Sequence, residues 1–363
     1  MNIVILGLSI TSSWGNGHAT TYRGLVRELT RQGHQVLFLE RDTPWYAAQR
    51  DLPEPPFGET RLYDSVDVLK REFADAIQAA DAVIVGSYIP EGVAVADWVL
   101  DEAHGSVAFY DIDTPVTLAK LAAGDYEYLE PDLIPRFNLY LSFTGGPLLT
   151  RLEEQFGARR ARPLYCSVDP EIHYPKPQVA HWDLGYLGTY SPDRQPRLER
   201  LLLQPARRAP ARRFVVAGAQ FPAGFAWPAN VEYVEHVAPS GHCAFYNAQR
   251  FTLNVTRDAM IATGYAPSVR LFEAAACGVP VISDRWDGLE TLFEPEREIL
   301  IADDADTVLG YLDGLSESAR AAIGRRARRR VMAAHTASHR ARELVEHLHA
   351  SLPRRRIASA SMQ

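Results

Sequence analysis

Cysteine is scarce in this chain of 363 residues: Cys166, Cys243 and Cys277 are the only three, far apart and without a Cys-x-x-Cys pair. That excludes a disulfide framework and a cysteine-built zinc site, and it leaves buried reduced thiols. Long apolar runs are missing too, because charge interrupts them. The start, Met1 to Gly7, reads as a strand entering a glycine turn rather than a charged region followed by a long apolar core. A cytoplasmic protein is expected. Positive charge also falls short. Against 45 Asp and Glu stand 38 Lys and Arg, a net charge of -7, which argues against a general nucleic-acid binder. The one glycine turn that suggests a dinucleotide site, Trp14-Gly15-Asn16-Gly17, lacks the full Gly-x-Gly-x-x-Gly spacing.

What is present is a regular alternation. Apolar strands at Ile3–Leu6, Val36–Leu39, Ala82–Val85, Val107–Tyr110, Leu139–Phe143 and Pro163–Cys166 are separated by stretches of helical spacing, such as Tyr22, Leu25, Val26 and Leu29. Strands separated by helices imply a parallel sheet covered on both faces. The rhythm lapses at Asp169-Pro170, Tyr174-Pro175 and Lys176-Pro177, then resumes with strands at Leu184–Gly188, Phe214–Ala217, Val231–Val234, Phe251–Val255, Val281–Ser283 and Ile299–Ile301. The expected organisation is a first domain over 1–168, a linker over 169–182 and a second domain over 183–336. A helix over 337–352 packs back on the first domain, and a flexible tail covers 353–363. The fold class is α/β, with two Rossmann-like doubly wound parallel-sheet domains facing across a cleft. The basic run Arg325, Arg326, Arg328, Arg329 and Arg330, echoed by Arg354, Arg355 and Arg356, reads as a solvated helix face and frayed tail. Weak docking to an acidic surface or lipid is its alternative.

The segment Gly264 to Ser283 is the richest in chemistry. Pro267 and Ser268 suit the opening of a helix, whose first amides and macrodipole attract phosphate, and Arg270 follows one turn in. Glu273 falls on the same face. Ala274, Ala275 and Ala276 let the helix lie close on a sheet, and Gly278 ends it. A phosphate-bearing nucleotide is the expected guest.

These motifs, with Leu253-Asn254-Val255-Thr256-Arg257, Asp287-Gly288-Leu289-Glu290, Gly33-His34-Gln35-Val36, Asp169-Pro170, His335-Thr336 and Arg340, resemble the GT-B glycosyltransferases, in particular the CgeB-like and group 1 branch. The resemblance implies a nucleotide-sugar donor held by the second domain and an unidentified acceptor held by the first. It gives Glu273 the ribose hydroxyls and Arg270 the diphosphate, with an Arg270–Glu273 ion pair as the plain alternative. Gly188-Thr189-Tyr190, with Arg194 behind, would turn toward phosphate, and Ser268 completes the donor set. Tyr265 stands where many retaining relatives carry a first glutamate, so the sugar contact and the stereochemistry are left open. A nucleotide-sugar epimerase or hydrolase, or a non-catalytic nucleotide-binding protein, would share these features.

For the chemistry, Asp113 in Asp111-Ile112-Asp113-Thr114-Pro115 is the first candidate base, or else a cap on the helix that follows. His18 is the second, or else an ordinary helix-start residue. Asp111, Trp14, Gly15, Asn16 and Gly17 fall on the acceptor side. Asp111-x-Asp113 also matches a metal-binding pair, yet Asp304 and Asp306 repeat the spacing by chance, and Arg270 reduces the need for a cation. No metal and no cofactor beyond the nucleotide-sugar co-substrate are expected.

Overall fold

The structure, a computed structural model, describes residues 1–15 and 17–352. Asn16 of the glycine turn, and the expected tail with Arg354, Arg355 and Arg356, lie outside the described residues. The chain forms two compact units. One comprises Met1–Ser142, Pro147–Leu164 and the stretch from Ala341 onward; the other comprises Phe143–Gly146 and Tyr165–Arg340. The main break thus follows Leu164, a little ahead of residue 168, and the helix Ala337–Ser351 changes unit within its own length.

The first unit is built on seven strands: β1 (Asn2–Gly7), β2 (Gln35–Arg41), β3 (Glu59–Tyr63), β4 (Ala82–Gly86), β5 (Ser106–Asp111), β6 (Leu139–Ser142) and β7 (Ala161–Pro163). They pair in the order β3-β2-β1-β4-β5-β6-β7, and every pairing is parallel. Ile3, facing Val36 on one side and Ala82 on the other, shows why the central strands read as apolar runs: both faces are covered. The helix His18–Arg31 buries Tyr22, Leu25, Val26 and Leu29, the residues its spacing singled out.

The second unit repeats the plan with β8 (Trp182–Leu187), β9 (Phe214–Ala217), β10 (Val231–Val234), β11 (Gln249–Asn254), β12 (Val281–Ser283) and β13 (Leu300–Ile301), ordered β10-β9-β8-β11-β12-β13, all parallel. Its first helix runs unbroken from Gln195 to Arg208, through a π-turn at Glu199–Leu203 just before Pro205. Pro205 has no N–H to continue the α-helical ladder, and the wider turn accommodates that loss. In the helix Val269–Ala276, Ala274, Ala275 and Ala276 are fully buried, as small residues on a closely approached sheet should be.

In each sheet the strand order reverses at one place, between β1 and β4 in the first and between β8 and β11 in the second. Connections leave in opposite directions there, opening a crevice at the carboxyl ends, where ligands of doubly wound folds bind. The residues that follow β1, β4, β8 and β11 are therefore the ones to inspect. Among the described residues no helix is long and apolar enough to cross a membrane.

Candidate active site

At the switch point of the second unit the dominant feature is a buried cation. Arg270 is 6% exposed, yet among the described residues no carboxylate lies within ion-pair distance. Its Nε donates to Leu187 O at 2.6 Å, its Nη1 to Asn254 Oδ1 at 2.8 Å, and its guanidinium carbon lies 4.8 Å from the Tyr186 ring centroid. Asn254 is itself fixed, its amide donating to Thr256 Oγ1 and Ser283 Oγ at the ends of β11 and β12. Gly188 admits this arrangement, because a Cβ there would lie 2.7 Å from Arg270 Nη2. Ser268 accepts from the Arg270 amide and caps the helix, as its position suggested.

Around Arg270 gather further cations. Arg194 donates from Nη2 to Thr189 O at 2.7 Å. Its pKa is lowered, first by burial and then, against the pull of Tyr186, by the positive charges of Arg270 and Arg257. Like charges close enough to penalise one another stand ready for an anion. Gly188 and Tyr190 give their amides to Ala217 O and Ala219 O, so the turn after β8 offers its exposed Thr189 rather than a run of open amides.

Glu273 is 4% exposed and is not paired with Arg270. Tyr246 donates to its Oε2 at 2.8 Å, and His173 Nε2 lies 3.7 Å from its Oε1. Burial alone would raise the carboxyl pKa. His173, His242, the Tyr246 hydrogen bond and Arg270 together outweigh that and hold it below the usual range. His173, His242 and Glu273 bring their ligand atoms within 4.8 Å of one another, the one such metal-capable cluster among the described residues. Tyr265 adopts a left-handed conformation at φ 50°, with its ring wedged between Gly146 and Gly288. A Cβ on either glycine would fall 2.3 or 2.4 Å from that ring, so Tyr265 acts as a wedge in the turn.

In the first unit His18 and Asp113 do not meet each other; both meet Tyr88. The His18 ring stands edge-on to Tyr88 at 5.4 Å between centroids, and Tyr88 Oη lies 3.5 Å from Asp113 Oδ2. Asp113 is the N-cap residue of the helix Thr114–Ala122, but its side chain makes no capping bond. Asp111, by contrast, is fully buried, accepting from Tyr140 at 2.6 Å and Thr117 at 2.7 Å, and so offers no surface to an acceptor. Trp14 is 52% exposed, Gly15 has φ 67°, and Gly17 precedes the first helix.

Burial lowers the His18 pKa to about 4. A histidine whose folded pKa lies below its unfolded value is stable while neutral and loses that stability as pH falls from 6.5 toward 4. The wild-type protein should thus lose about 2 kcal/mol between pH 7 and pH 5 that His18→Asn does not lose. Urea titrations at the two pH values measure the difference, and identical slopes for both proteins would refute it.

Four of the participating residues carry no sequence signal of their own. Tyr88 and Glu40 sit at strand ends. Glu40 is fully buried and accepts from the Ile10 and Thr11 amides and the Ser9 and Thr11 hydroxyls, pinning the loop after β1. Tyr246 and His173 reach Glu273 from 27 and 100 residues away, distances periodicity cannot bridge. In the basic run, Arg326 and Arg328 donate to Arg297 O and Ala276 O and Arg330 pairs with Glu298, while Arg325 and Arg329 remain exposed.

Two parallel doubly wound units with an anion-ready crevice in the second define the GT-B class of fold. Residues 194–346 match the family described as glycosyl transferase-like. Solved structures of the same fold include sucrose-phosphate synthase from Thermosynechococcus elongatus, 14% identical over 96% of this chain and 99% of that one, with a TM-score of 0.69. HepE of Anabaena in complex with UDP-glucose is 12% identical over 96% and 100%, with a TM-score of 0.70. An α-glucosyltransferase in complex with UDP-glucose and DNA containing an abasic site is 13% identical over 96% and 99%, with a TM-score of 0.71. No curated protein sequence matches the chain.

Proposed function

We propose that this protein transfers a sugar from a nucleotide-diphosphate sugar to the hydroxyl of an acceptor. The observation that carries the reading is Arg270, a buried guanidinium without a carboxylate partner among the described residues, at the switch point of the unit that matches a transferase family. Desolvating such a charge is unfavourable unless an anion balances it, and a diphosphate does so best once it departs with a full extra charge. The UDP-glucose bound in HepE and in the α-glucosyltransferase makes a UDP-sugar the donor of choice.

In this reading the acceptor oxygen attacks the anomeric carbon, the bond from that carbon to the phosphate oxygen breaks, and the electron pair leaves on the diphosphate. Arg270, Arg194 and Thr189 receive the developing charge, with Ser268 fixing the helix start and Gly188 and Tyr190 shaping the turn. Glu273, ionised and oriented by Tyr246, accepts from the ribose hydroxyls. Tyr265 holds the turn that positions this helix. Asp113 takes the acceptor proton, with neutral His18 as the other candidate, and Trp14, Gly15 and Gly17 border the acceptor.

Glu273→Ala should abolish UDP binding by calorimetry; unchanged affinity would remove the donor assignment. The cationic cluster fills the role a divalent ion plays elsewhere, so transfer should proceed fully in EDTA, and a strict need for Mn²⁺ would overturn the metal-independent reading. The exposed Arg325 and Arg329 support at most weak peripheral association with an acidic surface.

A further inference from the structure

Glu273 has more company than a ribose contact calls for. His173 and His242 bring their ring nitrogens and its carboxylate within 4.8 Å of one another. All three belong to the second unit, gathered from the turn at 169–173, the helix Pro239–Asn247 and the helix Val269–Ala276. His242 and Tyr246 lie four residues apart on one helix, so both side chains come to the face that meets Glu273.

His173 is the telling member. It is 3% exposed, both of its ring nitrogens are buried, and neither has a hydrogen-bond partner among the described residues. A neutral imidazole carries one N–H and one lone pair, and buried polar atoms left unmatched call for a water or an ion to complete them. Its Nε2 lies 3.7 Å from Glu273 Oε1, too far to donate, so holding the carboxylate's charge by a hydrogen bond is not its role. Atoms bonded to one tetrahedral Zn²⁺ at about 2.0–2.1 Å stand about 3.3 Å apart, and a small shift of the ring closes that difference. The other two members are supported as ligands are. His242 Nε2 donates to Val237 O at 3.1 Å, which leaves the lone pair on Nδ1, and Tyr246 donates to Glu273 Oε2 at 2.8 Å, which leaves Oε1 beside His173. A backbone carbonyl behind the imidazole and a hydroxyl behind the carboxylate are the partners that orient metal ligands. Arg270 opposes a second cation here, but its effect on Glu273 ranks behind that of both histidines and it is not paired with the carboxylate. Two imidazoles and a carboxylate suit Zn²⁺ rather than Mg²⁺, which prefers oxygen ligands alone. His242 is half-buried, which gives an ion a way in from solvent.

We propose that His173, His242 and Glu273 bind a divalent transition-metal ion of the Zn²⁺ type, and that the bound ion shuts nucleotide out by taking the Glu273 carboxylate. The competition, though not the metal site, rests on the donor reading above. Ion and ribose claim the same carboxylate, so the metal is an inhibitor and not a cofactor. A chelator should therefore relieve inhibition rather than impair transfer.

The test uses the untagged full chain, stripped of metal with EDTA and dialysed free of it. Co²⁺, as the probe ion, should give the intense visible bands of a four-coordinate site at a single equivalent, and Zn²⁺ should bleach them. His173→Gln and His242→Gln should each weaken Zn²⁺ binding by about a hundredfold or more. With Zn²⁺ at about ten times its own Kd, the apparent Kd for UDP by calorimetry should rise about tenfold more in the wild type than in His242→Gln. UDP itself holds some Zn²⁺, which affects both proteins alike, so the difference between them decides. Should circular dichroism show that the buried His173 variant has not folded, His242→Gln decides alone. Absence of the Co²⁺ bands in the wild type would overturn the metal site, and so would Zn²⁺ binding as tight in the variants as in the wild type, which places the ion on other histidines. An equal effect of Zn²⁺ on UDP affinity in the wild type and His242→Gln would overturn the competition. No UDP binding by the metal-free chain ends the donor reading and the competition with it, while the Co²⁺ spectrum still decides the site.

Discussion

Arg270→Met is expected to lower turnover by about three orders of magnitude, the upper end of what losing one electrostatic contact to a developing anion removes. Methionine fills much of the same space over the Tyr186 ring, so the loss would reflect charge rather than a collapsed cavity. Leu187 O and Asn254 Oδ1 would each lose a donor, which costs about 1–3 kcal/mol of stability apiece if nothing replaces it. Steady-state kinetics beside a circular-dichroism melt separates the two effects. Arg270→Lys should recover little, because one ammonium cannot reproduce the fork that reaches both acceptors. Wild-type kcat in either variant would remove the guanidinium from the reaction.

Gly324→Val should be the most destabilising change, by about 3 kcal/mol or more. Gly324 lies on the helix Glu317–Ala334, where it crosses the end of the helix that carries Arg270 and Glu273. A Cβ there would fall 2.0 Å from Gly278 O and 2.9 Å from its carbonyl carbon, and backbone cannot swing aside as a flexible side chain can. Gly278 is held in turn by its own left-handed conformation at φ 74°. The helices would have to separate, exposing Ala327 and Val331. Urea denaturation measures the loss, and a wild-type midpoint would show that the crossing relaxes freely.

Much of this was legible beforehand. Central strands covered on both faces announce themselves as apolar runs, which is why β1, β4, β5 and β9 stand where the sequence places them. β3 was missed because Glu59-Thr60-Arg61-Leu62-Tyr63 is an edge strand with a mostly exposed face, and its pattern is that of a loop. The grouping of Ser268, Arg270 and Glu273 was readable because they are close in sequence, within one helix and its cap. Strand order was not readable, and strand order decides that Gly188 and Arg257 follow neighbouring strands. Nor did anything in Gly86-Ser87-Tyr88-Ile89-Pro90 indicate that the tyrosine would adopt a strained conformation between His18 and Asp113. Asp111 and Asp113 stand two residues apart in one motif. Burial separates them, leaving one to face Tyr88 and locking the other beneath the turn.

The division of the helix Ala337–Ser351 between units bears on how the chain is born. Ala341, Leu344 and Leu348 are fully buried, Ser351 bonds to Ser106, and Ala350 O accepts from Arg160. A ribosome delivers these residues only after the whole second unit has emerged, so the half of the protein that is translated first is the last to acquire all its native contacts. Arg160 and Ser106 wait through the synthesis of nearly two hundred intervening residues or more for partners at the far end of the chain. Birth order and completion order are inverted.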